Sequence, residues 1–497
     1  MKKRYIISVD QGTSATKAVV VDDKGSLIDR FNTIHKQYHP NPGWVEHDPV
    51  EIYNNTVNAI LSVMEKASLT EGDIAAISIT NQRETSVVWD KRTGKPICNA
   101  VVWQCSRAGN ISDRLIEEGW NRLIKEKTGM HISPYFSAAK IMWMLDNIPN
   151  ARKDAEEGHL LFGTIDSWLI WNLTDGKKHA TDYSNACRTQ LLNINTLKWD
   201  IDLLEIFNIP KSMMPKVKYS DEMFGETNLN GKLKKKIPIT GVMGDSHAAL
   251  FGQNCFEIGT GKATMGTGSS IMLNIGKRPY QSNNGIVTSI AWGTKGEVEY
   301  VFEGNINCSG DTIKWLVDEM GILPDAKSSE EYAMQVKDNN GVYLVPAFVG
   351  MGAPYWENNA KACIIGISRG TNKYHIVRAG LEAIAYQIKD IIEIMVKDAG
   401  IELKELRVDG GPTRNDFVMQ FLADILRVNI IRNEVEELSA VGVAYMAGLA
   451  LGIWKDKEEI KSLRCTDDIF EMKLEDSEVK SLYDGWLSSI RKVLYNC

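Results

Sequence analysis

Apolar residues gather along this chain in short runs that end on polar residues beside glycine. The first run, Ile6-Ile7-Ser8-Val9, closes on Asp10-Gln11-Gly12-Thr13-Ser14, and an alternating run resumes at Lys17 and continues from Ala18 to Val21. Strand-forming Ile and Val on either side of a polar turn containing glycine predict a β-hairpin. Asp22-Asp23-Lys24-Gly25 reads as a second turn, leading into a short strand at Ser26 to Asp29. The apolar spacing of Val50 to Lys66 predicts an amphipathic helix, and Ile74 to Ile79 the next strand, which ends at Thr80-Asn81-Gln82-Arg83-Glu84. A strand at Ala100 to Trp103 and a helical stretch from Ser106 to Lys127 continue an α/β alternation. Further on, helices are predicted at Asp311 to Met320, Asn372 to Ala399, Asp416 to Leu426 and Ala440 to Leu451.

Two later runs repeat the opening signal. Ile237-Pro238-Ile239-Thr240-Gly241-Val242-Met243-Gly244-Asp245 and Leu406-Arg407-Val408-Asp409-Gly410-Gly411 are apolar segments that end in Asp beside Gly. Three such strand ends suggest a duplicated domain with a ligand held between the copies. With 497 residues the chain is long enough for two cores. Gly225 to Lys236, rich in Gly, Asn and Lys, reads as an exposed loop, and a boundary just past it gives domains of residues 1–250 and 251–497.

Composition narrows the class. Hydrophobic residues make up 43% and charged residues 24%, which excludes a disordered chain. A formal net charge of −7 offers no broad basic footprint for nucleic acid. Eight cysteines, at 98, 105, 187, 255, 308, 363, 465 and 497, have neither Cys-x-x-Cys nor zinc-type spacing, so free thiols in a reducing compartment are expected. The basic start Met1-Lys2-Lys3-Arg4 has the flavour of a signal peptide, yet its apolar stretch is interrupted at Asp10, and no run approaches the length of a bilayer span. The expectation is a cytoplasmic protein.

At the hairpin tip, Gly12 allows close backbone approach and the hydroxyls of Thr13 and Ser14 can donate to phosphate oxygens, while Asp10 suits Mg²⁺ better than phosphate. An ordinary hairpin with a polar turn is the competing reading. Gly259-Thr260-Gly261-Lys262-Ala263-Thr264 resembles the end of a Walker A motif, but Phe256 occupies the first required Gly position and Ala263 the Ser/Thr position, so a P-loop is rejected.

Tyr135-Phe136-Ser137-Ala138-Ala139-Lys140-Ile141-Met142-Trp143-Met144-Leu145-Asp146-Asn147 resembles the first signature of the FGGY carbohydrate kinases. The second signature is matched from Ala362-Cys363-Ile364-Ile365-Gly366-Ile367 to His375-Ile376 and Ala379-Gly380-Leu381-Glu382, with Gly380 an unusual occupant. The blocks Pro42 to Pro49, Thr80 to Thr85, Val102 to Cys105, Leu161 to Thr164, Asp182-Tyr183 and Gly352 to Trp356 resemble the glycerol-phosphorylating members of that family, and the likeness extends over almost the whole chain.

The resemblance implies two ribonuclease-H-like, actin-like ATPase domains with an active-site cleft between them, and transfer of the ATP γ-phosphoryl group to a primary hydroxyl of glycerol. It implies Asp245 as the base and Asp10 with Asp245 as Mg²⁺ partners. Thr13, Ser14 and Lys17 would surround the phosphates, with Lys17 where the family often has Arg, and Ala15 lacking the usual hydroxyl. Gly266 and Thr267 would approach the phosphates, Gly310 the ribose, and Gly411 with Asn415 the adenine. Lys314 stands where Gln is common. The small polyol would be held by Arg83, Glu84, Trp103, Tyr135 and Asp245, which supply a donor fork, acceptors, a flat apolar face and a phenol. Asp245 as a helix N-cap and Arg83-Glu84 as a solvated surface pair are the bland alternatives.

Two expected pocket residues depart from the family: Ser246 replaces Gln, and Ser270 replaces Phe. Both changes remove bulk and add a hydroxyl, which opens the alternative of a tetritol, dihydroxyacetone, xylulose or ribulose as acceptor. His247 is expected to be packed and neutral, with contact to a longer substrate as the alternative. The basic segment Gly231 to Lys236 reads as a solvated charge run, and the loop Tyr219 to Lys236 lacks the His through which some relatives are regulated. The family suggests a homodimer or homotetramer. A reading from another class is a non-catalytic actin-like ATPase or sugar-binding regulator, which would have no need of a base and a polyol clamp together.

Overall fold

A computed structural model describes residues 5–433, 435, 437–463 and 468–495. The basic start at residues 1–4 and Cys465 and Cys497 lie outside the described residues. The first sheet has six strands: β1 (Tyr5–Gln11), β2 (Ala15–Val21), β3 (Leu27–Ile34), β4 (Ile74–Asn81), β5 (Met223–Thr227) and β6 (Ile237–Gly244), in the order β5-β6-β4-β1-β2-β3. β1, β2 and β3 form an antiparallel meander, β4 and β6 run parallel to β1, and β5 closes the edge antiparallel to β6.

The second sheet comprises β7 (Thr260–Met265), β8 (Ser269–Gly276), β9 (Val287–Thr294), β10 (Glu297–Ile306), β11 (Glu405–Asp409), β12 (Asn429–Arg432) and β13 (Asp468–Phe470), in the order β9-β10-β8-β7-β11-β12-β13. Apart from the added β9 the connectivity repeats that of the first sheet: an antiparallel meander, two parallel strands and an antiparallel edge. The duplication expected from the three Asp-ending strands is therefore present.

Each sheet buries one face in a core of its own. Helix α1 (Pro49–Lys66), capped by the Asp48 carboxylate, lays Ile52, Ile60 and Val63 on Ile7, Val9 and Ile77. On the second sheet the corresponding core is shared by helices from later in the chain. The opposite faces look towards each other, and two helices fill the space between them. Helix α2 (Asp245–Gly252) follows β6, and a helix at Leu438–Ala450 follows β12, so the two are topological equivalents. Ala248, Leu250, Phe251, Val441, Ala444 and Met446 pack there with Ile6 and Val19 of the first sheet and Met272 and Val301 of the second.

The close approach of these helices requires glycine at both contact points. A Cβ on Gly442 would lie 1.9 Å from the Ala248 carbonyl oxygen, and one on Gly252 would lie 2.3 Å from that of Leu438. Three sequence expectations are corrected. Gly225 to Lys236 is not simply an exposed loop: its start belongs to β5, and Leu229 and Leu233 are buried in the first core, although Lys232, Lys234, Lys235 and Lys236 are exposed. The helical stretch from Ser106 to Lys127 is broken into Gly109–Glu117 and Asn121–Thr128 at Gly119, whose φ of +88° no helix accommodates. The strand at Ala100 pairs only as far as Val101.

Among the described residues no helix is long and apolar enough to cross a membrane. Burial pushes His47 down to about 3 and His179 and His247 down to about 4. Their folded pKa values are depressed, so the unfolded chain takes up protons that the folded one refuses as pH falls from about 6.5 towards 4. Each group then withdraws about 1.4 kcal/mol of stability per pH unit. In an NMR titration of the folded protein these three rings are expected to keep their neutral-form shifts from pH 6.5 down to 5; a ring that titrates near 6.5 would contradict its burial.

Candidate active site

The carboxyl ends of β1, β4 and β6 lie side by side. Thr80 is the register partner of both Asp10 and Met243, and Asn81 of both Gln11 and Gly244, so Asp10 and Asp245 flank a single intervening strand end. Burial and the negative charge of Asp245 push the Asp10 carboxyl up to about 7, with Lys17 only partly opposing them. Asp245 opens α2 without capping it; Gly244 holds the cap position, and the Asp245 carboxylate accepts the Ser246 N–H at 2.6 Å. Its side chain remains 36% exposed, which leaves it accessible to a ligand.

Gly12, Thr13 and Ser14 form the tip joining β1 and β2, closed by the Gly12 N–H on the Ala15 carbonyl at 2.9 Å. Thr13 Oγ1 accepts the Trp103 indole N–H at 3.0 Å, which ties the hairpin to the neighbouring pocket. Ser14 is exposed. Lys17 is committed to an ion pair with Glu437 at 2.7 Å, a link between the two halves of the chain.

Arg83, Glu84, Trp103, Tyr135 and Asp245 are brought together. Glu84 sits at the apex of a tight turn with φ +59°, a left-handed conformation that costs a non-glycine residue roughly 1–3 kcal/mol. Its carbonyl is held by the Ser137 hydroxyl at 3.0 Å. The Lys140 amine folds back onto the Tyr135 and Phe136 carbonyls, and burial pushes it down to about 7. Ser137 and Lys140 of the signature thus fix the backbone of two pocket residues. Trp103 and Tyr135 meet edge to face with centroids 5.4 Å apart.

Beneath this wall lies a set of buried charges. Arg83 Nε approaches Asp245 at 3.3 Å, and Arg83 Nη1 donates to Glu303 Oε2 at 2.9 Å. Arg188 donates from Nη1 to Glu303 Oε1 at 3.1 Å and to Ser289 Oγ at 3.0 Å, and from Nε to Glu84 Oε1 at 2.5 Å. Although burial alone would raise it, the Glu303 carboxyl is held well below the usual range by Arg188 and Arg83. His247 Nε2 lies 3.3 Å from Glu303, and the ring is fully buried and neutral, as expected. Arg83 and Glu84 are therefore not a solvated surface pair.

Arg188 and Glu303 are not among the residues that the sequence singles out. Arg188 carries no local motif. Glu303 had one available signal: in β10 it alternates with Tyr300, Phe302 and Gly304, which places a carboxylate on the face shared with Val301 and Asn305. Ser270 is paired in register with Asn305 and Thr264, on the same face of the second sheet. Ser270 and Ser246 are half-buried and Asn305 is exposed.

The remaining predicted residues share one cavity of about 660 Å³, lined by Gly266, Thr267, Gly310, Lys314, Gly411 and Asn415 together with Leu381 and Ile384. Helix α3 (Gly310–Asp318) begins against the β7–β8 turn: the Gly310 N–H donates to the Gly266 carbonyl at 2.9 Å, and the Ser309 and Asp311 N–H groups donate to that of Thr267 at 2.8 and 3.1 Å. Leu381 and Ile384 come from helix α4 (Lys373–Ala399), and Asn415 caps helix α5 (Asp416–Leu426) through the Val418 N–H at 3.0 Å. Leu381 and Ile384 give the cavity an apolar wall. Thr260–Met265 is a regular strand with no phosphate-cradling loop, in accord with rejection of the Walker A reading.

Paired sheets of this topology, with acids at adjoining strand ends and a cavity on the second, define the two-domain, actin-like class of phosphotransferase. The chain belongs to the FGGY family of carbohydrate kinases: the family's N-terminal domain model matches residues 5–252 and its C-terminal domain model residues 261–451. It is 51% identical to glycerol kinase 1 of Thermotoga maritima over 490 residues, 99% of each chain. It is 49% identical to the glycerol kinase of Bacillus licheniformis over 488 residues, 98% of each. Among solved structures, that of Plasmodium falciparum glycerol kinase with ADP superposes with a TM-score of 0.94 at 36% identity, covering 99% of this chain and 98% of that one. The chain is thus an ATP-dependent kinase by family.

The contact between α3 and the β7–β8 turn is tight enough to test. A Cβ on Gly310 would lie 2.6 Å from the Gly266 carbonyl oxygen. Alanine ordinarily gains up to about 1 kcal/mol over glycine in a helix, but overpacking costs about 1–3 kcal/mol, so the clash should win. Gly310→Ala is expected to lower the urea midpoint; an unchanged or higher midpoint would contradict the packing.

Proposed function

We propose that the protein transfers the γ-phosphoryl group of ATP to a primary hydroxyl of glycerol, giving glycerol 3-phosphate. The observation that carries this reading is the convergence of Arg83, Glu84, Trp103, Tyr135 and Asp245 beside the Gly12–Ser14 hairpin. A polyol needs a donor fork, acceptors and a flat apolar face, and these five side chains offer them in one place. The names and full-length similarity of the relatives support glycerol as the acceptor.

Asp245 is the base: it is accessible, follows directly on a strand end, and is oriented by the Arg83 Nε at 3.3 Å. As the hydroxyl oxygen bonds to the γ-phosphorus, the bond from that phosphorus to the β–γ bridging oxygen breaks, ADP leaves with the bridging oxygen, and the hydroxyl proton passes to the Asp245 carboxylate. Arg83 and Glu84 fix the neighbouring hydroxyls, so that the attacking oxygen is presented in line. The second-domain cavity takes the nucleotide, with Gly266, Thr267 and Gly310 at its phosphate end and Gly411 and Asn415 at the base. The hairpin residues Thr13 and Ser14 would meet the transferred phosphate, and Lys17 would join them on leaving its ion pair with Glu437.

Mg²⁺ fits the acids at the strand ends. Burial and the nearby Asp245 carboxylate push Asp10 up to about 7, a strain that a dication between the two acids would relieve, and Mg²⁺ commonly takes one or two carboxylates while retaining water. When bound, Mg²⁺ neutralises phosphate charge. We place the domain boundary near residue 250, and infer from the family a cytoplasmic dimer or tetramer.

A second acceptor class rests on one observation. Ser246, Ser270 and Asn305 bring hydroxyl and carboxamide groups to the cleft side, which suits a four- or five-carbon polyol or ketose.

Asp245→Asn is expected to reduce kcat by about 10²–10⁴-fold while nucleotide binding by calorimetry is retained; substantial remaining transfer would remove Asp245 as the base. Ser270→Phe restores an apolar wall and is expected to shift kcat/KM towards glycerol over erythritol by about 10–200-fold, the range of one pocket contact of 1–3 kcal/mol. An unchanged ratio would show that Ser270 does not line the acceptor pocket.

A further inference from the structure

We propose that Glu303, contributed by the second domain, is a positioning residue for the acceptor pocket of the first, acting through Arg83 and Arg188. The proposal rests on the kinase reading above and adds to it the means by which the pocket is held in shape.

Five charged side chains form a continuous chain in the order Asp245, Arg83, Glu303, Arg188, Glu84. The two ends are the pocket carboxylates, and the two guanidinium groups each bridge from one end to the centre. Only the centre comes from the second sheet, where Glu303 lies on β10 in register with Met272. Its two oxygens divide the work: Oε2 takes Arg83, and Oε1 takes Arg188, with His247 close by. Arg188 lies over the Phe136 ring at 5.1 Å and the Tyr135 ring at 6.0 Å, so its placement also bears on the aromatic side of the pocket.

Burial makes neutralisation of the centre costly. Arg83, Arg188 and Glu303 are all more than nine-tenths buried, so water cannot replace a missing anion. Without the shared carboxylate the two guanidinium groups repel, and each has one strong partner left. Arg83 would close onto Asp245 and Arg188 onto Glu84, occupying the oxygens that the acceptor's hydroxyls need. The nucleotide cavity contains none of the five residues and would be spared.

The test uses the full chain with Glu303→Gln, isosteric but uncharged, and Glu303→Asp, charged but shorter, with Arg188→Lys as a third variant should Glu303→Gln fail to fold. Steady-state kinetics with glycerol and ATP, and calorimetric titration with glycerol and separately with ADP, give the readouts. The expected result for Glu303→Gln is a rise of about tenfold or more in acceptor KM and Kd, with the KM for ATP and the Kd for ADP within about twofold of the unaltered protein. Glu303→Asp should recover part of the loss, and Arg188→Lys should weaken glycerol binding in the same selective way. Acceptor affinity unchanged in the presence of a lower Tm would reduce Glu303 to a structural staple and overturn the proposal. Equal weakening of acceptor and nucleotide would overturn it too. If the unaltered protein transfers phosphate to no polyol, the underlying kinase reading fails instead.

Discussion

Everything at the cleft depends on how closely two helices can pass. Asp245–Gly252 and Leu438–Ala450 lie between the two sheets, and their backbones approach at Gly252 and Gly442 to distances that a methyl group would block. That contact sets the separation of the sheets. It thereby decides whether a side chain on β10 can reach Arg83 and Arg188, which belong to the first domain. A buried carboxylate shared by two buried arginines is tolerable only when its geometry is good, since desolvation costs several kcal/mol per ion. The ion chain therefore demands a closely defined spacing, and the glycine contact supplies it.

Function is built at the strand ends. In the first sheet β1, β4 and β6 stop at the same level, and in the second β7 and β11 run on into glycine. In the first sheet this puts Asp10 and Asp245 on either side of β4; in the second it places the Gly266–Gly268 turn and Gly411 around a cavity. The proposed acceptor site and the proposed nucleotide cavity are thus both assembled at strand ends. Phosphoryl transfer needs little covalent chemistry from the protein, so positioned donors, acceptors and charge suffice.

Much of this is legible in the sequence because it is local. The hairpin, α1, β4 and β6 come from runs whose apolar period matches their structure, and the duplicated topology is signalled by three strands ending in Asp beside Gly. Of the residues expected around the nucleotide, Gly266, Thr267, Gly310, Lys314, Gly411 and Asn415 share one cavity, whereas Thr13, Ser14 and Lys17 of the first hairpin do not line it. Errors arise where tertiary contacts outweigh local pattern. Met223–Thr227 runs into a stretch that reads as an exposed loop, yet becomes an edge strand because Ile237–Gly244 offers it a partner. Arg188 and Glu303 lie 115 positions apart and meet only when the domains assemble, so no local motif could pair them.

The most direct measurement is coupled ADP release by the purified protein with ATP and Mg²⁺, with and without glycerol, alongside erythritol, threitol, dihydroxyacetone, xylulose and ribulose. The account predicts ADP release that depends on a polyol, with phosphate recovered on its primary hydroxyl. Release that proceeds equally without any acceptor would contradict it, and would leave an actin-like ATPase in place of a polyol kinase.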